Sequence, residues 1–406
     1  MSLRIVTSRS VQQLQVEDWC RVCDVQNDLL MHPAFLAAAE ASLAAGTAGA
    51  QASGCETHFW HLLAYEGDKP VGAACVSEYP LDTMVFASPL AQRVVANVRR
   101  VFPSYLKFRV TFCGLPISTA GSNLRVAAGA DADEVIRALN DAVEQISRER
   151  KTWLIVYKEL DEAEAERAAV LEKQRFVRAE SLPMNRIVQR HSGFAAFIDA
   201  MRSHYRYKIA RSRKKFALSG LKLERTSGLA AIEAAYTPTH HAMYERVTCR
   251  AEHRLEILPR EYFLELASRF PDELILTTIA HDSEVIALAW SLRHGTVYRN
   301  LFVGIDYEQN EESDAYFNLM IEDVAHAMDE PVGEIMVGQT ADEFKSRLGC
   351  TSDPRYLFVK LTNRALQWWF LRFQSSFFPP LPPPPQRDVF KPEASETAAP
   401  PPVAIG

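Results

Sequence analysis

The stretch Ile335–Gly349, IMVGQTADEFKSRLG, joins a short apolar run to a short helix that carries Phe344 and Lys345 side by side. The apolar run is typical of a buried strand, and the Gly-Gln-Thr that follows ends it. Ligands of open α/β sheets bind at the carboxyl ends of the strands, so a lysine just beyond such an end is a candidate for ligand contact. The alternative is that Lys345 is solvent-exposed on an amphipathic helix.

The same stretch belongs to an order of elements that occurs twice: hairpin, strand, helix, strand, helix, strand. Period-2 and period-3.6 apolar patterns and turn residues predict each element. In the first half they are predicted at 57–67, 69–80, 107–116, 130–151, 152–160, 161–176 and 184–190. In the second half they are predicted at 274–283, 284–295, 296–306, 313–330, 333–339, 340–349 and 353–361. Residue identity hardly repeats, so the pattern predicts two α+β repeats of one fold.

The length of 406 residues exceeds what one ordinary core supports. We expect a first domain at 1–192 and a second domain, opened by a basic helix, at 193–376. From Phe377 onward the sequence is rich in Pro, Ala and Glu, which predicts a disordered tail at 377–406.

Charge and cysteine content exclude several classes of protein. The net charge of −6 argues against a globally basic nucleic-acid binder, although local basic patches remain open. Seven scattered cysteines do not indicate a secreted disulfide scaffold, and no metal site is expected from their spacing. There is no signal-peptide core and no apolar run of about 20 residues, so we expect a cytoplasmic protein without a transmembrane helix.

The repeated order resembles the GNAT acyltransferase fold, and its tandem form is similar to the Fem-type aminoacyltransferases and the CelD-like acetyltransferases. Three stretches carry the resemblance, which covers roughly 55–362: the basic stretch 201–224, the strand, loop and long helix at 303–328, and the strand and Phe-Lys helix at 336–350.

The resemblance implies an N-acyltransferase that uses acyl-CoA as cosubstrate. The implied acceptor is an amine on a small molecule or a lipid-linked precursor, in cell-envelope or exopolysaccharide biosynthesis. One alternative is a Fem-type transferase that uses aminoacyl-tRNA. Another is a non-enzymatic binding protein with degenerate sites, because fold kinship alone does not fix function.

GNAT enzymes hold the pyrophosphate of CoA on a glycine-rich turn before the central helix, where backbone N–H groups bind phosphate. In the second repeat this place reads DYEQNEESDAYF, which has no glycine and several carboxylates. In the first repeat it reads CGLPISTAGSNLRVAAGADAD, which offers glycines, hydroxyl groups and an arginine. The donor-binding candidates there are Ser118, Thr119, Gly121 and Arg125.

Three residues are candidates for catalysis. Lys345 matches the lysine of a Phe-Lys pair that contacts the reacting carbonyl in Fem-type enzymes, so the resemblance implies that it stabilises the oxyanion. Asp306 follows the strand of the second repeat, and Tyr316 lies at the start of the long helix. Either is a candidate base for the acceptor amine, although a structural role is the alternative for each.

The basic helix near 202–215 supplies two more candidates for phosphate binding, Arg206 and Arg211. Phe197, Met201, Tyr205 and Ile209 recur every four residues and predict its buried stripe. The bound phosphate would belong to CoA, to tRNA, to a nucleotide-sugar or to a lipid carrier. A solvated charged face is the alternative.

The segment 365–378 is rich in aromatic residues and is predicted to be helical. Burial against the protein itself is one explanation for these side chains. Peripheral membrane contact and contact with a partner protein are the others.

Overall fold

The computed structural model describes residues 3–53, 56–82, 95, 97–100, 107–117, 119, 121–251, 257–340, 342–378 and 380–392. The chain forms two compact units that are interleaved in sequence. The first unit comprises Met1–Leu182, Thr248–Arg269 and Pro354–Leu381, and the second comprises Pro183–Val247, Phe270–Asp353 and Pro382–Gly406. The contiguous boundaries predicted at 192 and 376 differ from this division, because a sequence pattern locates a strand without revealing which sheet it joins.

The secondary structure alternates as the sequence pattern predicts. The strands of the described residues are β1 (Arg4–Ser8), β2 (His58–Glu66), β3 (Lys69–Asp82), β4 (Lys107–Cys113), β5 (Leu124–Val126), β6 (Leu154–Leu160), β7 (Val177–Val188), β8 (Lys222–Thr226), β9 (Leu274–His281), β10 (Glu284–His294), β11 (Val297–Ile305), β12 (Glu334–Gly338) and β13 (Thr351–Leu361). The α-helices of the described residues are α1 (Val16–Val22), α2 (Pro33–Leu43), α3 (Ala48–Ser53), α4 (Ala132–Arg150), α5 (Glu162–Arg167), α6 (Val170–Lys173), α7 (Phe194–Ala200), α8 (Ser203–Leu218), α9 (Leu229–Ala235), α10 (Pro238–Arg250), α11 (Arg260–Arg269), α12 (Tyr307–Ser313), α13 (Ala315–Asp329), α14 (Asp342–Arg347), α15 (Arg364–Arg372) and α16 (Gln374–Phe377).

The sheet of the first unit has the order β1-β2-β3-β4-β6, and residues Tyr356–Leu361 of β13 pair with β6. The β4–β6 pair is parallel and the others are antiparallel, since α4 provides the crossover that a parallel pair needs. Val135 and Leu139 of α4 pack on the sheet at Gly72, where an added Cβ would lie 2.3 Å from Val135. The glycine on β3 therefore lets α4 approach the sheet closely.

The sheet of the second unit has the order β12-β11-β10-β9-β8, and residues Asn185–Val188 of β7 pair with β12. β11 and β12 are parallel, with α13 as their crossover. Met320, Val324 and Met328 of α13 are buried, as the helical periodicity of the sequence predicts. The strand and helix order is the same in both units.

The α+β class with two GNAT-like repeats is confirmed, and some elements differ from the prediction. A short helix, α12, occupies the acidic stretch that was predicted to be a loop, because Asp306 caps its first turn. The predicted helix at 161–176 is divided into α5 and α6. The packing of α2 against α11 in the first unit had no sequence signal that we recognised.

Part of the predicted C-terminal tail is packed against the second unit. Val389 is buried, and its carbonyl accepts a hydrogen bond from the backbone N–H of Arg202 at 2.9 Å. The ring of Phe390 packs on Phe197, with 5.5 Å between ring centroids, and lies over Gly349. Two apolar anchors thus fix a segment that the overall composition marks as disordered. Residues 393–406 lie outside the described part of the chain.

Candidate active site

The parallel strands β11 and β12 of the second unit separate after three residue pairs. Their register joins Val297 to Glu334 and ends with Arg299 opposite Met336, whereas β11 continues to Ile305. Parallel strands that diverge leave backbone hydrogen-bonding groups on their facing edges without a ladder partner. The opening therefore suits an extended ligand that carries amide groups of its own.

A β-bulge lies on β11 where this opening begins. Ser291 of β10 pairs with Asn300 and the neighbouring Trp290 pairs with Phe302, so Leu301 is an extra residue without a partner on β10. A bulge disrupts the ladder locally and re-aims the groups around it, and bulges are enriched beside active sites. It brings an irregular backbone segment to the start of the opening.

A buried carboxylate holds β11 just before this bulge and the paired strand β10. Asp323 of α13 accepts hydrogen bonds from Ser291 Oγ at 2.8 Å, from Tyr298 Oη at 2.8 Å and from Asn300 Nδ2 at 3.0 Å. Burial and the nearby Asp323 raise the pKa of the Tyr298 phenol well above its ordinary value, so the phenol remains a donor. Sequence analysis did not single out Asp323, and three donors stabilise its charge away from water.

Lys345 is buried at the end of β12 rather than exposed. Only 3% of it is solvent-accessible, and its Nζ lies 3.2 Å from the point that a Cβ on Gly338 would occupy. Gly338 has a φ of +94°, which favours glycine, and its carbonyl accepts a hydrogen bond from Asn185 Nδ2 at 3.2 Å. The interpretation of Lys345 as a solvated surface lysine is therefore wrong, and its ammonium lies beside the end of a strand.

The other two catalytic candidates have different surroundings. The ring of Tyr316 lies 5.9 Å from the ring of Phe344, the residue before Lys345. Burial and Tyr307 raise the pKa of Tyr316 to about 12, so its phenol is protonated at neutral pH. Asp306 instead accepts backbone hydrogen bonds from Glu308 at 3.0 Å and Gln309 at 3.4 Å. This geometry favours a helix cap for Asp306.

Two residues of the candidate phosphate loop in the first unit, Arg125 and Gly121, contact other residues of the protein. Arg125 Nε lies 2.6 Å from Asp28 Oδ2, and its Nη1 lies 3.0 Å from Glu164 Oε1. Burial alone would lower the pKa of Arg125, but these two carboxylates raise it. Gly121 lies against Leu30: a Cβ added to Gly121 would lie 2.3 Å from Cδ1 of Leu30. The geometry favours a structural role for both residues.

Thr119 and Ser118, the other two candidates of this loop, give no further evidence for a phosphate site. The backbone N–H of Thr119 donates to the Ile117 carbonyl at 3.1 Å, and Ser118 lies outside the described residues.

A buried lysine of β6 lies beside the end of β4 in the first unit. Lys158 donates a hydrogen bond from Nζ to the Ile117 carbonyl at 2.7 Å, and its Cγ lies 2.7 Å from where a Cβ on Gly114 would be. The β3–β4 register runs without a shift from Val76 to Asp82, so its paired residues contain no bulge. In its described pairing with β3, β4 therefore lacks a bulge like that of β11, and the register shifts of this unit lie in the β2–β3 and β6–β13 pairs.

The basic helix α8 carries both paired and unpaired cations. Arg202 pairs with Asp388, Arg213 with Glu322 and Lys215 with Asp314. Arg206 donates to the Asp199 carbonyl at 3.4 Å.

Lys208, Arg211 and Lys214 are exposed and have no ion-pair partner in the described part of the chain. Because they recur every three residues, they share one side of α8. We call them the basic triad.

A cavity of about 740 Å³ lies in the first unit against α2, and sequence analysis did not predict it. Its wall includes several alanines together with Arg9, Glu40, His58 and Arg269. Glu40 is already engaged by Ser10 and by the backbone N–H of Val11. The cavity contains none of the candidate catalytic residues.

Two kinds of feature are absent from the residues that the structure describes. They contain no group of three His, Cys, Asp or Glu side chains placed to hold a metal ion. None of their helices is both long enough and apolar enough to cross a bilayer.

Comparison with known proteins identifies the family. The sequence profile of the FemAB-like family, described as peptidoglycan biosynthesis/recognition, matches residues 10–302. The chain belongs to the FemAB-like family. A search of curated proteins found no match. Family and fold together identify this FemAB-like protein as a transferase.

Solved structures share the fold at low sequence identity. FemX is 9% identical with a TM-score of 0.51, and the alignment covers 91% of this chain and 100% of FemX. A tandem GNAT protein from the clavulanic acid biosynthesis pathway is 11% identical with a TM-score of 0.51, covering 89% of this chain and 99% of that protein. The C-terminal domain (DUF2156) of a putative lysylphosphatidylglycerol synthetase from Agrobacterium fabrum is 9% identical with a TM-score of 0.48, covering 89% and 96%. The resemblance to tandem GNAT and Fem-type proteins is thus confirmed.

Proposed function

We propose that the second unit of this FemAB-like transferase moves an acyl group from acyl-CoA to an amine acceptor of the cell envelope or of exopolysaccharide biosynthesis. The observation that carries the proposal is the buried ammonium of Lys345 at the end of β12, beside the opening between β11 and β12. The family description supports an envelope acceptor, and the GNAT fold supports an acyl-CoA donor. We place the reaction in the cytoplasm, where acyl-CoA is made, with a small-molecule or lipid-linked amine as acceptor.

In this reaction the neutral amine attacks the thioester carbonyl, so a C–N bond forms and the carbonyl oxygen gains negative charge. The C–S bond then breaks and CoA leaves as a thiolate that takes up a proton, while the N–H proton of the amine passes to water, which restores the proton donor. A preorganised donor at the developing oxyanion contributes about 3–4 kcal/mol, and a buried ammonium is a strong donor. We assign this role to Lys345.

The departing thiolate and the incoming amine impose opposite proton requirements. Tyr316, with its pKa raised to about 12, is protonated at neutral pH and suits donation to the thiolate. An alkylamine has a pKa of about 10.4, so only about one molecule in a thousand is neutral at pH 7. Desolvation in the opening favours the neutral amine, because burial disfavours charge.

The transfer is direct rather than through an acyl-enzyme. Cys350, whose backbone N–H bonds to the Lys345 carbonyl at 3.1 Å, is the thiol next to Lys345. Burial raises its pKa to about 12 even though the charge of Lys345 lowers it. A thiol in this state is a weak nucleophile at neutral pH.

A second donor, aminoacyl-tRNA, is favoured by one observation, the basic triad on α8. Three unpaired cations on one helix face suit a backbone of regularly spaced phosphates. A tRNA that neutralises several cations loses affinity steeply with salt, whereas acyl-CoA has few phosphates and loses less.

Native mass spectrometry of the purified full chain tests both donors. The chain is incubated separately with acetyl-CoA, with longer acyl-CoA species and with total aminoacyl-tRNA. Retention of an acyl-CoA, with transfer of its acyl group to an added amine that Lys345→Met slows and Arg347→Met leaves unchanged, supports the first proposal. Retention of tRNA alone replaces it with the second. If neither donor is retained, both are overturned.

A further inference from the structure

Half of the large apolar side chains that are exposed in the described residues lie within one short segment, which we call the aromatic ledge. Its members are Leu366, Trp368, Trp369, Phe373, Phe377 and Leu381. Trp368 is 65% exposed and Trp369 is 48% exposed. Contiguous exposed apolar patches of this kind mark interaction sites on soluble proteins.

α15, the helix that carries the two tryptophans of the ledge, packs on the rest of the first unit through its opposite face. Phe370 is only 5% exposed and packs with Tyr79 and Val359. Gln367 donates to the Arg175 carbonyl at 2.6 Å and accepts from the Leu361 backbone N–H at 2.7 Å. Burial against the protein thus accounts for Phe370 and leaves the tryptophans unexplained.

Charge around the ledge has one sign. The sequence from Asn363 to Arg387 contains no Asp or Glu. Arg364 and Arg372 are exposed, and neither has an ion-pair partner among the residues that the structure describes. Glu180, whose carboxylate accepts from the Leu381 backbone N–H, is the acidic group held at its far end. Arginines beside exposed Trp and Phe match a surface that is apolar below and anionic above.

We propose that the aromatic ledge docks this protein on an anionic lipid bilayer. α15 has nine residues, about half the length needed to span a membrane, so it lies in the plane of the headgroups. Trp368, Trp369 and Phe373 enter the boundary between headgroups and acyl chains. Arg364 and Arg372 pair with lipid phosphates. The docking does not depend on the acyl-transfer proposal, although it would bring the transferase to lipid-linked acceptors.

Vesicle flotation of the purified full chain tests the proposal. The wild type is expected to float with phosphatidylglycerol/phosphatidylcholine vesicles and to remain largely soluble with phosphatidylcholine alone. The change Trp368→Ser with Trp369→Ser is expected to lower the bound fraction at least fivefold. Arg364→Gln and Arg372→Gln are each expected to weaken binding about fivefold at low salt. The matched control is Tyr207→Ser with Leu218→Ser, which removes two exposed apolar residues of the second unit without effect on flotation.

Three outcomes overturn the proposal. In one, the wild type does not float with anionic vesicles. In another, the tryptophan variant floats as well as the wild type while its thermal unfolding is unchanged. In the third, sedimentation without lipid shows that the wild type is a dimer and that the tryptophan variant is a monomer. That result would mean that a second copy of the chain covers the ledge. Flotation is scored without any acyl donor, so failure of the acyl-transfer proposal leaves its result intact.

Discussion

The ammonium nitrogen of Lys345 lies 3.2 Å from the point that a Cβ on Gly338 would occupy. The change Gly338→Ala therefore has two effects: it strains a backbone with φ of +94° and it displaces the ammonium. We expect the free energy of unfolding to fall by about 1–2 kcal/mol. We also expect kcat to fall by a larger factor than KM changes. The control is Gly220→Ala, which has φ of +74° and open space around the added Cβ. Equal kcat in both variants would show that the contact is irrelevant to turnover.

Replacing Lys345 with methionine keeps an apolar stem of similar length and removes the charge. We expect kcat to fall by about 10²–10³-fold, because one oxyanion donor is lost. Arg347→Met on the same helix removes an exposed charge that is paired with Glu343 and is expected to leave kcat unchanged. The value of kcat is measured by steady-state kinetics with the donor that native mass spectrometry identifies. An unchanged kcat for the Lys345 variant would contradict the assignment.

The basic triad is expected to bind phosphate, whereas the paired cations of α8 stabilise the fold. Changing Lys208, Arg211 and Lys214 together to Gln should weaken donor binding and flatten its salt dependence, since fewer counterions are released. Changing Arg202, Arg213 and Lys215 to Gln removes three ion pairs and should chiefly lower the unfolding temperature. Donor affinity measured by titration calorimetry at two salt concentrations separates the two sets. A triad variant that binds normally leaves α8 as a solvated face.

The packed end of the C-terminal segment is expected to stabilise the second unit. A chain that ends at Gln386 loses the buried Val389 and the half-buried Phe390, whereas one that ends at Pro392 keeps both. Burial of two such side chains is worth about 3 kcal/mol, so the shorter chain should unfold at lower denaturant concentration. Identical midpoints for the two chains would show that residues 387–392 contribute nothing.

Alkaline pH is expected to destabilise the second unit through Cys350. Burial raises the pKa of its thiol from about 9 to about 12. Between these values the folded state binds more protons than the unfolded state, so the free energy of unfolding falls as pH rises. One group contributes a slope of about 1.4 kcal/mol per pH unit in this window. Cys350→Ala should reduce the slope by that amount, and the exposed Cys249→Ala should not.

The repeated α+β order could be predicted because each repeat has strands and amphipathic helices whose periodicity is local. The buried face of α13 follows from Met320, Val324 and Met328 alone. Strand partners are not local: β13 is a clear apolar strand, but nothing in its residues indicates that its second half pairs with β6. The predicted boundaries at 192 and 376 therefore differ from the observed units.

The candidate site was only partly accessible from the sequence. Lys345 was found through the strand end and the Phe-Lys pair, but its burial depends on Gly338, seven positions earlier. Asp323 lies among apolar residues of α13, and its three donors come from β10 and β11, at least 23 residues earlier in the sequence. The sequence indicated that Arg125 was available for phosphate, but it is paired with Asp28 and Glu164. These two carboxylates are distant in sequence, so the local pattern could not reveal them.

The interleaving of the two units has a consequence for synthesis. The sheet of the first unit takes Tyr356–Leu361 as a strand, and this unit also includes Thr248–Arg269. A nascent chain therefore cannot close that sheet until residue 361 has left the ribosome, by which time nearly all of the second unit has been made. The first repeat must wait with an unpaired β6 edge, and such edges recruit other strands. Neither repeat is expected to be recovered as a stable contiguous fragment, and expression of 1–192 alone should yield aggregates.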